Sequence, residues 1–126
     1  TSTGADAATA QVLPQLKDRI SALALRVPVV NGALTDISAE LRSPVSVEML
    51  NTEFKNAAKG SLKGILEYSD EELVSSDIIG NPHSAIIHGR STRVVKNNYV
   101  KVQVWYDNEY GYACRCLELI ERICSL

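Results

Sequence analysis

Residues 99–112, with the sequence YVKVQVWYDNEYGY, pass from a strand through a turn into the start of a helix. Residues 92–95 and 99–105 predict the two strands of a hairpin around Lys96-Asn97-Asn98, a run of turn-forming residues. The aromatic and amide residues that begin at Trp105 therefore lie at a strand-to-helix junction.

The last helix is predicted over residues 109–124, which are amphipathic. Asp107 or Asn108 is expected to cap its first turn, and Glu109 complements the helix dipole there. Its apolar stripe consists of Ala113, Leu117, Ile120 and Cys124, widened by Cys116 and Ile123.

Upstream, the first elements are predicted from helix-forming and alternating residues. Residues 4–13 favour a helix with Thr3 as its N-cap, which ends before a proline. Residues 22–30 alternate in a way that predicts a strand. Asn31-Gly32 indicates a turn, and residues 34–41 form a second alternating run.

The middle of the chain combines one helix with several short strands. Ser46 is predicted to cap a helix that ends at Gly60, and strands are expected around residues 64–68, 74–79 and 85–88. Strands dominate without regular βαβ alternation. The pattern therefore predicts an α+β fold with a mostly antiparallel sheet and helices on one face.

Length and composition indicate one ordinary globular domain. The chain has 126 residues, 45% hydrophobic and 22% charged, with a formal net charge of −2. The clustered basic residues Arg90, Arg93 and Lys96 are too few for a nucleic-acid-binding surface. No apolar run reaches the roughly 18–20 residues that span a bilayer, and no signal-peptide pattern opens the chain. We therefore expect no nucleic-acid partner and no membrane association.

The cysteines and histidines suggest neither a metal site nor a catalytic pair. Cys114, Cys116 and Cys124 are odd in number and lack paired spacing, which argues against a disulfide framework and for a reducing compartment. No further ligands accompany them for zinc. His83 and His88 have no acidic or cysteine neighbour in the sequence that marks either as a base.

Three places carry residue types suited to ligand binding. Ser2-Thr3-Gly4 opens a helix, where free N–H groups favour an anion, although a plain helix cap is the alternative. Arg26 has the planar fork that suits phosphate, unless it lies on the solvent face of its strand. The amide of Asn108 both donates and accepts and so suits a carboxamide, unless residues 105–112 form only a packed corner.

Taken together, these places fall into a longer series of sequence blocks in one fixed order. The series resembles the C-terminal half of glyceraldehyde-3-phosphate dehydrogenases nearly from end to end, and WYDNEYGY is its most specific block. The blocks are Thr1-Ser2-Thr3-Gly4-Ala5, Arg26-Val27-Pro28, Leu62-Lys63-Gly64-Ile65-Leu66, Ser75-Ser76-Asp77, Asn81-Pro82-His83-Ser84 and the octet at residues 105–112.

The resemblance implies roles for five residues. The family's Thr-Gly pair, matched by Thr3 and Gly4, binds a phosphate group at a helix N-terminus. The family's arginine matched by Arg26 also contacts substrate phosphate. The asparagine matched by Asn108 hydrogen-bonds the nicotinamide carboxamide of NAD. Tyr112 matches an aromatic position near that ring.

The resemblance also implies a parent reaction whose catalytic groups are absent from this chain. A cysteine thiolate attacks the aldehyde, a histidine acts as base, hydride passes to NAD, and inorganic phosphate cleaves the thioester. None of the chain's cysteines or histidines matches the nucleophile or the base. An opening without Met reads as the interior of a longer chain, so we expect a fragment that is inactive alone.

The implied parent is a cytoplasmic homotetramer with two domains. Residues 1–108 correspond to its catalytic domain, truncated on the N-terminal side. Residues 109–126 correspond to the C-terminal helix that packs on the nucleotide-binding domain. Erythrose-4-phosphate dehydrogenase, which shares much of this half, and a non-catalytic interaction or assembly module remain as alternatives.

The chain departs from the family pattern at three places. Asp6-Ala7 replaces small and basic residues after the Thr-Gly pair, which sets a negative charge beside the phosphate site. Residues 29–33, VVNGA, replace the commoner T-P-N-V-S. Residues 113–116, ACRC, replace a usual Ser-Asn-Arg. None of these changes falls on the residues assigned to ligand contact.

Overall fold

The computed structural model describes residues 2–126; Thr1, the first residue of the first block, lies outside them. The described residues form three α-helices and five β-strands. In chain order these are α1 (Ala5–Val12), β1 (Ala33–Glu40), α2 (Val47–Lys59), β2 (Leu66–Ser69), β3 (Ala85–His88), β4 (Arg93–Val95), β5 (Tyr99–Tyr106) and α3 (Tyr110–Cys124). No helix within residues 2–126 is both long and apolar enough to span a membrane.

The strands form one mixed sheet in the order β1-β5-β3-β2, with β4 paired to β5 beside that path. β1 runs antiparallel to β5 along their whole length, from Ala33 opposite Tyr106 to Glu40 opposite Tyr99. β3 and β4 are also antiparallel to β5, and only β2 and β3 are parallel. The predicted α+β class with a mostly antiparallel sheet is confirmed.

The core lies between one face of the sheet and α2. Alternate residues of β5 point to this face, so Val102 and Val104 are buried while Lys101 is exposed. They cluster with Leu66 and Ile87, and Phe54, Ala57 and Ala58 of α2 pack against them. These apolar residues recur at helical spacing along α2 and form the surface that holds it on the sheet.

The ends of α2 and the hairpin follow the sequence signals. The Ser46 hydroxyl accepts a hydrogen bond from the Met49 backbone N–H at 3.2 Å, and Gly60 ends the helix. Between β4 and β5, Lys96 and Asn97 adopt φ values of 49° and 62°. Two consecutive positive φ angles match the tight turn that suits a twisted hairpin.

The strand predicted over residues 22–30 is wrong. The segment has no strand partner among the described residues, and its alternating side chains Leu23 and Leu25 are 76% and 82% exposed. At Pro28 the chain turns back, because the Val29 N–H donates to the Val27 carbonyl at 2.9 Å. Pro28 also has no backbone N–H to donate to a neighbouring strand.

The strand predicted over residues 74–79 is also wrong, since Ser75–Ile78 forms a 3₁₀ turn. The Asp77 carboxylate accepts from the Val74 N–H at 2.8 Å, and the Asp77 N–H donates to the Val74 carbonyl at 3.0 Å. This reciprocal pair of local hydrogen bonds takes the place of hydrogen bonds to a neighbouring strand. The turn directs Ile78, only 1% exposed, into the interior.

Candidate functional site

Asp107 is the centre of the junction between β5 and α3. Its side chain is only 2% exposed. Its Oδ1 accepts hydrogen bonds at 2.9 Å from the backbone N–H groups of Glu109 and Tyr110, the first-turn donors of α3. The N-cap position of α3 falls at Glu109, and Asp107, not Asn108, supplies the side-chain hydrogen bonds at the start of the helix.

The same carboxylate also binds two distant parts of the chain. Its Oδ1 accepts from the Asn31 amide at 2.9 Å, and its Oδ2 accepts from the Gly80 N–H at 2.8 Å. Burial alone would raise the pKa of Asp107, but these bonds to Gly80, Tyr110, Asn31 and Glu109 outweigh it and hold that pKa well below its usual range. Asp107 is therefore an ionised, buried anchor for three segments.

Gly32, beside Asn31, makes a contact that needs a glycine. Its φ is +93°, a region that residues with a Cβ rarely adopt. A Cβ at this position would also lie 3.1 Å from both the Ile78 Cδ1 and the Ser75 carbonyl oxygen. The turn is therefore seated against the 3₁₀ turn at Ser75–Ile78.

Asn108, the predicted cofactor contact, is exposed but held on one side. Its Oδ1 accepts a hydrogen bond from the Gly32 N–H at 3.2 Å. Within residues 2–126 its Nδ2 donates to no partner, so its donor side remains available. An open hollow of about 310 Å³ lies at the same junction, lined by Asn31, Gly80, Asp107, Glu109, Tyr110 and Ala113.

Thr3 and Gly4 lie at the start of α1, where the sequence placed them. The N-cap position falls at Gly4 and not at Thr3, although the Thr3 hydroxyl accepts from the Ala5 N–H at 3.2 Å. The Asp6 carboxylate accepts from its neighbour Ala7 N–H at 2.8 Å. Two first-turn donors are thus already satisfied by side chains, one of them negatively charged.

Arg26 lies in the irregular segment before β1 and is exposed. No hydrogen bond or ion pair of its guanidinium is found in the part of the chain that the structure describes. No described hydrogen bond joins it to Thr3 or Gly4 either. The structure therefore presents two groups suited to phosphate, with no hydrogen bond between them among the described residues.

His83 corrects the expectation that it has no acidic neighbour. Its Nδ1 lies 3.1 Å from the Glu67 carboxylate and 2.9 Å from the Asn81 amide oxygen. Both the ring and the carboxylate are partly exposed. Strand pairing creates this neighbour, since β2 carries Glu67 alongside β3, and no local spacing could have indicated it.

Sequence reasoning also missed Asn31 and Gly80 as partners of the site. The sequence analysis assigns Asn31-Gly32 only to a turn and gives Gly80 no role in the site. Their contacts with Asp107 join residues 76 and 27 positions apart. An Asn-Gly pair before a strand and an Asp after a strand are the only signals that the sequence offers.

Comparison with known proteins gives one family. Residues 1–108 match the family described as "Glyceraldehyde 3-phosphate dehydrogenase, C-terminal domain". The chain is 50% identical over 125 residues to glyceraldehyde-3-phosphate dehydrogenase 2 of Bacillus subtilis, covering 99% of this chain and 37% of that protein. It is 51% identical over 120 residues to glyceraldehyde-3-phosphate dehydrogenase of Mycobacterium avium, covering 95% of this chain and 35% of that protein. The chain thus spans little more than a third of the length of these relatives.

Proposed function

The chain belongs to the family of glyceraldehyde 3-phosphate dehydrogenase C-terminal domains, and from this premise we propose that it is part of an oxidoreductase of glycolysis. The parent enzyme converts glyceraldehyde 3-phosphate, NAD and inorganic phosphate to 1,3-bisphosphoglycerate and NADH. The observation that carries this proposal is the 50% identity over 125 residues to a glyceraldehyde-3-phosphate dehydrogenase.

Asn108 contacts the nicotinamide carboxamide of NAD. The Asn108 Oδ1 is occupied by the Gly32 N–H, so its Nδ2 is the group that meets a ligand. An amide N–H₂ donates and cannot accept, which fits the carbonyl oxygen of a carboxamide. NAD supplies the hydride acceptor when it is bound, while Asn108 fixes the orientation of the ring.

Thr3, Gly4 and Arg26 contact the phosphate groups of the reaction. Support comes from the dipole at the start of α1, which favours an anion, although side chains already bind the N–H groups of Ala5 and Ala7. The exposed guanidinium of Arg26, without an ion pair in the described residues, offers paired donors for phosphate oxygens. The Asp6 carboxylate opposes this attraction and weakens the affinity at the helix.

The remaining catalytic parts belong to other segments of the parent. Residues 1–108 form the catalytic domain and residues 109–126 the helix that packs on a nucleotide-binding domain. Exposed apolar residues on α3 support that packing, since Leu117 and Ile120 are 62% and 56% exposed. The parent is a cytoplasmic homotetramer, and residues 1–126 without the nucleophile and base are inactive.

The test is an assay of the full-length parent for NADH formation. We expect turnover of glyceraldehyde 3-phosphate that requires inorganic phosphate, and none from residues 1–126 alone. A higher kcat/KM for erythrose 4-phosphate would replace the proposed substrate by the sister one. Absence of NADH formation with either aldehyde would overturn the enzyme proposal and favour an assembly module.

A further inference from the structure

Two hydrogen bonds fix the orientation of the side-chain amides of Asn31 and Asn108, because one partner can only accept and the other can only donate. The Gly32 N–H can only donate, so the atom of Asn108 that it meets at 3.2 Å is the oxygen. The Asp107 carboxylate, ionised at neutral pH, can only accept, so the atom of Asn31 that it meets at 2.9 Å is the nitrogen. Neither amide can be reversed without losing its bond.

The turn itself has little freedom to move. Gly32 is enclosed by Ile78 and Ser75, each of which a Cβ would approach to 3.1 Å. The Asn31 Oδ1 is buried without a hydrogen-bond partner among the described residues. The donor side of Asn31 is therefore what secures its side chain, through a carboxylate that is itself fixed by Gly80 and the start of α3.

From these contacts we infer that Asn31 and Gly32 are positioning residues that orient the Asn108 amide toward the cofactor. The inference rests on the proposed nicotinamide contact of Asn108. The bond from Asn31 to Asp107 holds the turn, the Gly32 N–H then occupies the Asn108 oxygen, and the Asn108 Nδ2 is left facing the ligand. Without Asn31 the Asn108 amide is free to rotate and present either end.

The experiment is a double-mutant cycle in the full-length parent with Asn31→Ala, Asn108→Ala and the combination. We expect each single variant to raise the Kd for NAD, measured by calorimetric titration without substrate, about 3- to 10-fold, and the KM for NAD by the same factor. The KM for the aldehyde should stay unchanged. We expect the double variant to be no worse than Asn108→Ala alone, because Asn31 acts through Asn108. Asn56→Ala, an exposed asparagine on α2, is the matched control.

A second readout uses thionicotinamide adenine dinucleotide, whose C=S accepts hydrogen bonds poorly. The wild type should prefer NAD over this analogue, and Asn31→Ala should reduce that preference. An equal loss for both cofactors, or additive effects in the double variant, would overturn the positioning role. If Asn31→Ala does not fold, Asn31→Leu, which removes the donor but keeps the side-chain volume, takes its place in the cycle.

The cycle also separates this inference from the proposal on which it rests. An unchanged KM for NAD in Asn108→Ala would overturn the nicotinamide contact and the positioning role together. A raised KM in Asn108→Ala with an unchanged KM in Asn31→Ala would overturn the positioning role alone. Absence of any dehydrogenase activity in the wild type would overturn the proposed function before either variant is compared.

Discussion

At the scale of single residues, Asp107 shows how one buried carboxylate decides local stability. Its hydrogen bonds favour the ionised form in the folded protein, so its pKa is lower there than in the unfolded chain. A lowered folded pKa contributes stability above the unfolded value of about 3.9, and that contribution is lost as the pH falls below it. Acid should therefore weaken the anchor.

We expect the melting temperature to fall more steeply below about pH 4 in the wild type than in Asp107→Asn, which has no carboxylate there to protonate. The variant should also start lower at neutral pH by roughly 5 °C, because a charged acceptor for several donors is lost. Calorimetry of both proteins across the acid range measures this. Parallel curves would assign the acid sensitivity to other groups.

Arg26 carries a second prediction at this scale. Arg26→Ala should raise the KM for glyceraldehyde 3-phosphate about 10-fold or more, since charge-assisted bonds to phosphate are lost. The KM for unphosphorylated glyceraldehyde should not change, because that substrate lacks the contacted group. Arg19→Ala, another exposed arginine, serves as control. Equal effects on both aldehydes would remove Arg26 from the phosphate site.

At the scale of elements, the turn before β1 depends on glycine for two separable reasons. Gly32 combines a φ of +93° with close neighbours, whereas Gly64 has a φ of +79° and no atom within 4 Å of a would-be Cβ. Gly64→Ala should cost about 1 kcal/mol from backbone strain alone, and Gly32→Ala about 1–3 kcal/mol more from overlap with Ile78 and Ser75. Urea denaturation of the two variants measures the difference. Equal losses would show that the neighbours of Gly32 yield without cost.

The elements that the sequence predicted are those whose signals are local. The Ser46 cap and the apolar residues at helical spacing indicate α2. The turn residues Lys96-Asn97-Asn98 indicate the hairpin. Apolar and other residues alternate along segment 22–30 as they do in a strand. Alternation shows only which side chains would share a face, and it does not supply a neighbouring strand for the backbone to pair with. At Ser75–Ile78 the Asp77 side chain binds the backbone locally, and the segment therefore forms a turn instead of a strand.

The contacts of the site also divide into local ones, which the sequence indicates, and long-range ones, which it does not. The cap at Asp107 follows from its place before an amphipathic helix, and so it was predicted among two candidates. The Asn31–Asp107 bond joins residues 76 positions apart and depends on β1 lying beside β5 along their full length. Such contacts follow from sheet register, which no short motif in the chain encodes.

At the scale of the whole molecule, the apolar surface is unevenly covered. α2 covers one face of the sheet. On α3, however, Leu117 and Ile120 are more than half exposed, and in segment 22–30 Leu23 and Leu25 are more exposed still. Large exposed apolar areas are uncommon on monomeric proteins and often mark contacts with other proteins. Exposure of this kind is typical of surfaces that contact other protein, and it agrees with the proposed packing of α3 on a nucleotide-binding domain.

This imbalance predicts that residues 1–126 associate with themselves when they are purified alone. Leu117→Gln together with Ile120→Gln removes two apolar side chains from α3 without touching the buried face of the sheet, and should shift the chain toward monomer. Analytical ultracentrifugation over a concentration series measures the shift. Met49→Gln with Val74→Gln, exposed apolar positions away from α3, is the matched control and should leave association unchanged. An equal shift in both double variants would show that association depends on general apolar content and not on α3.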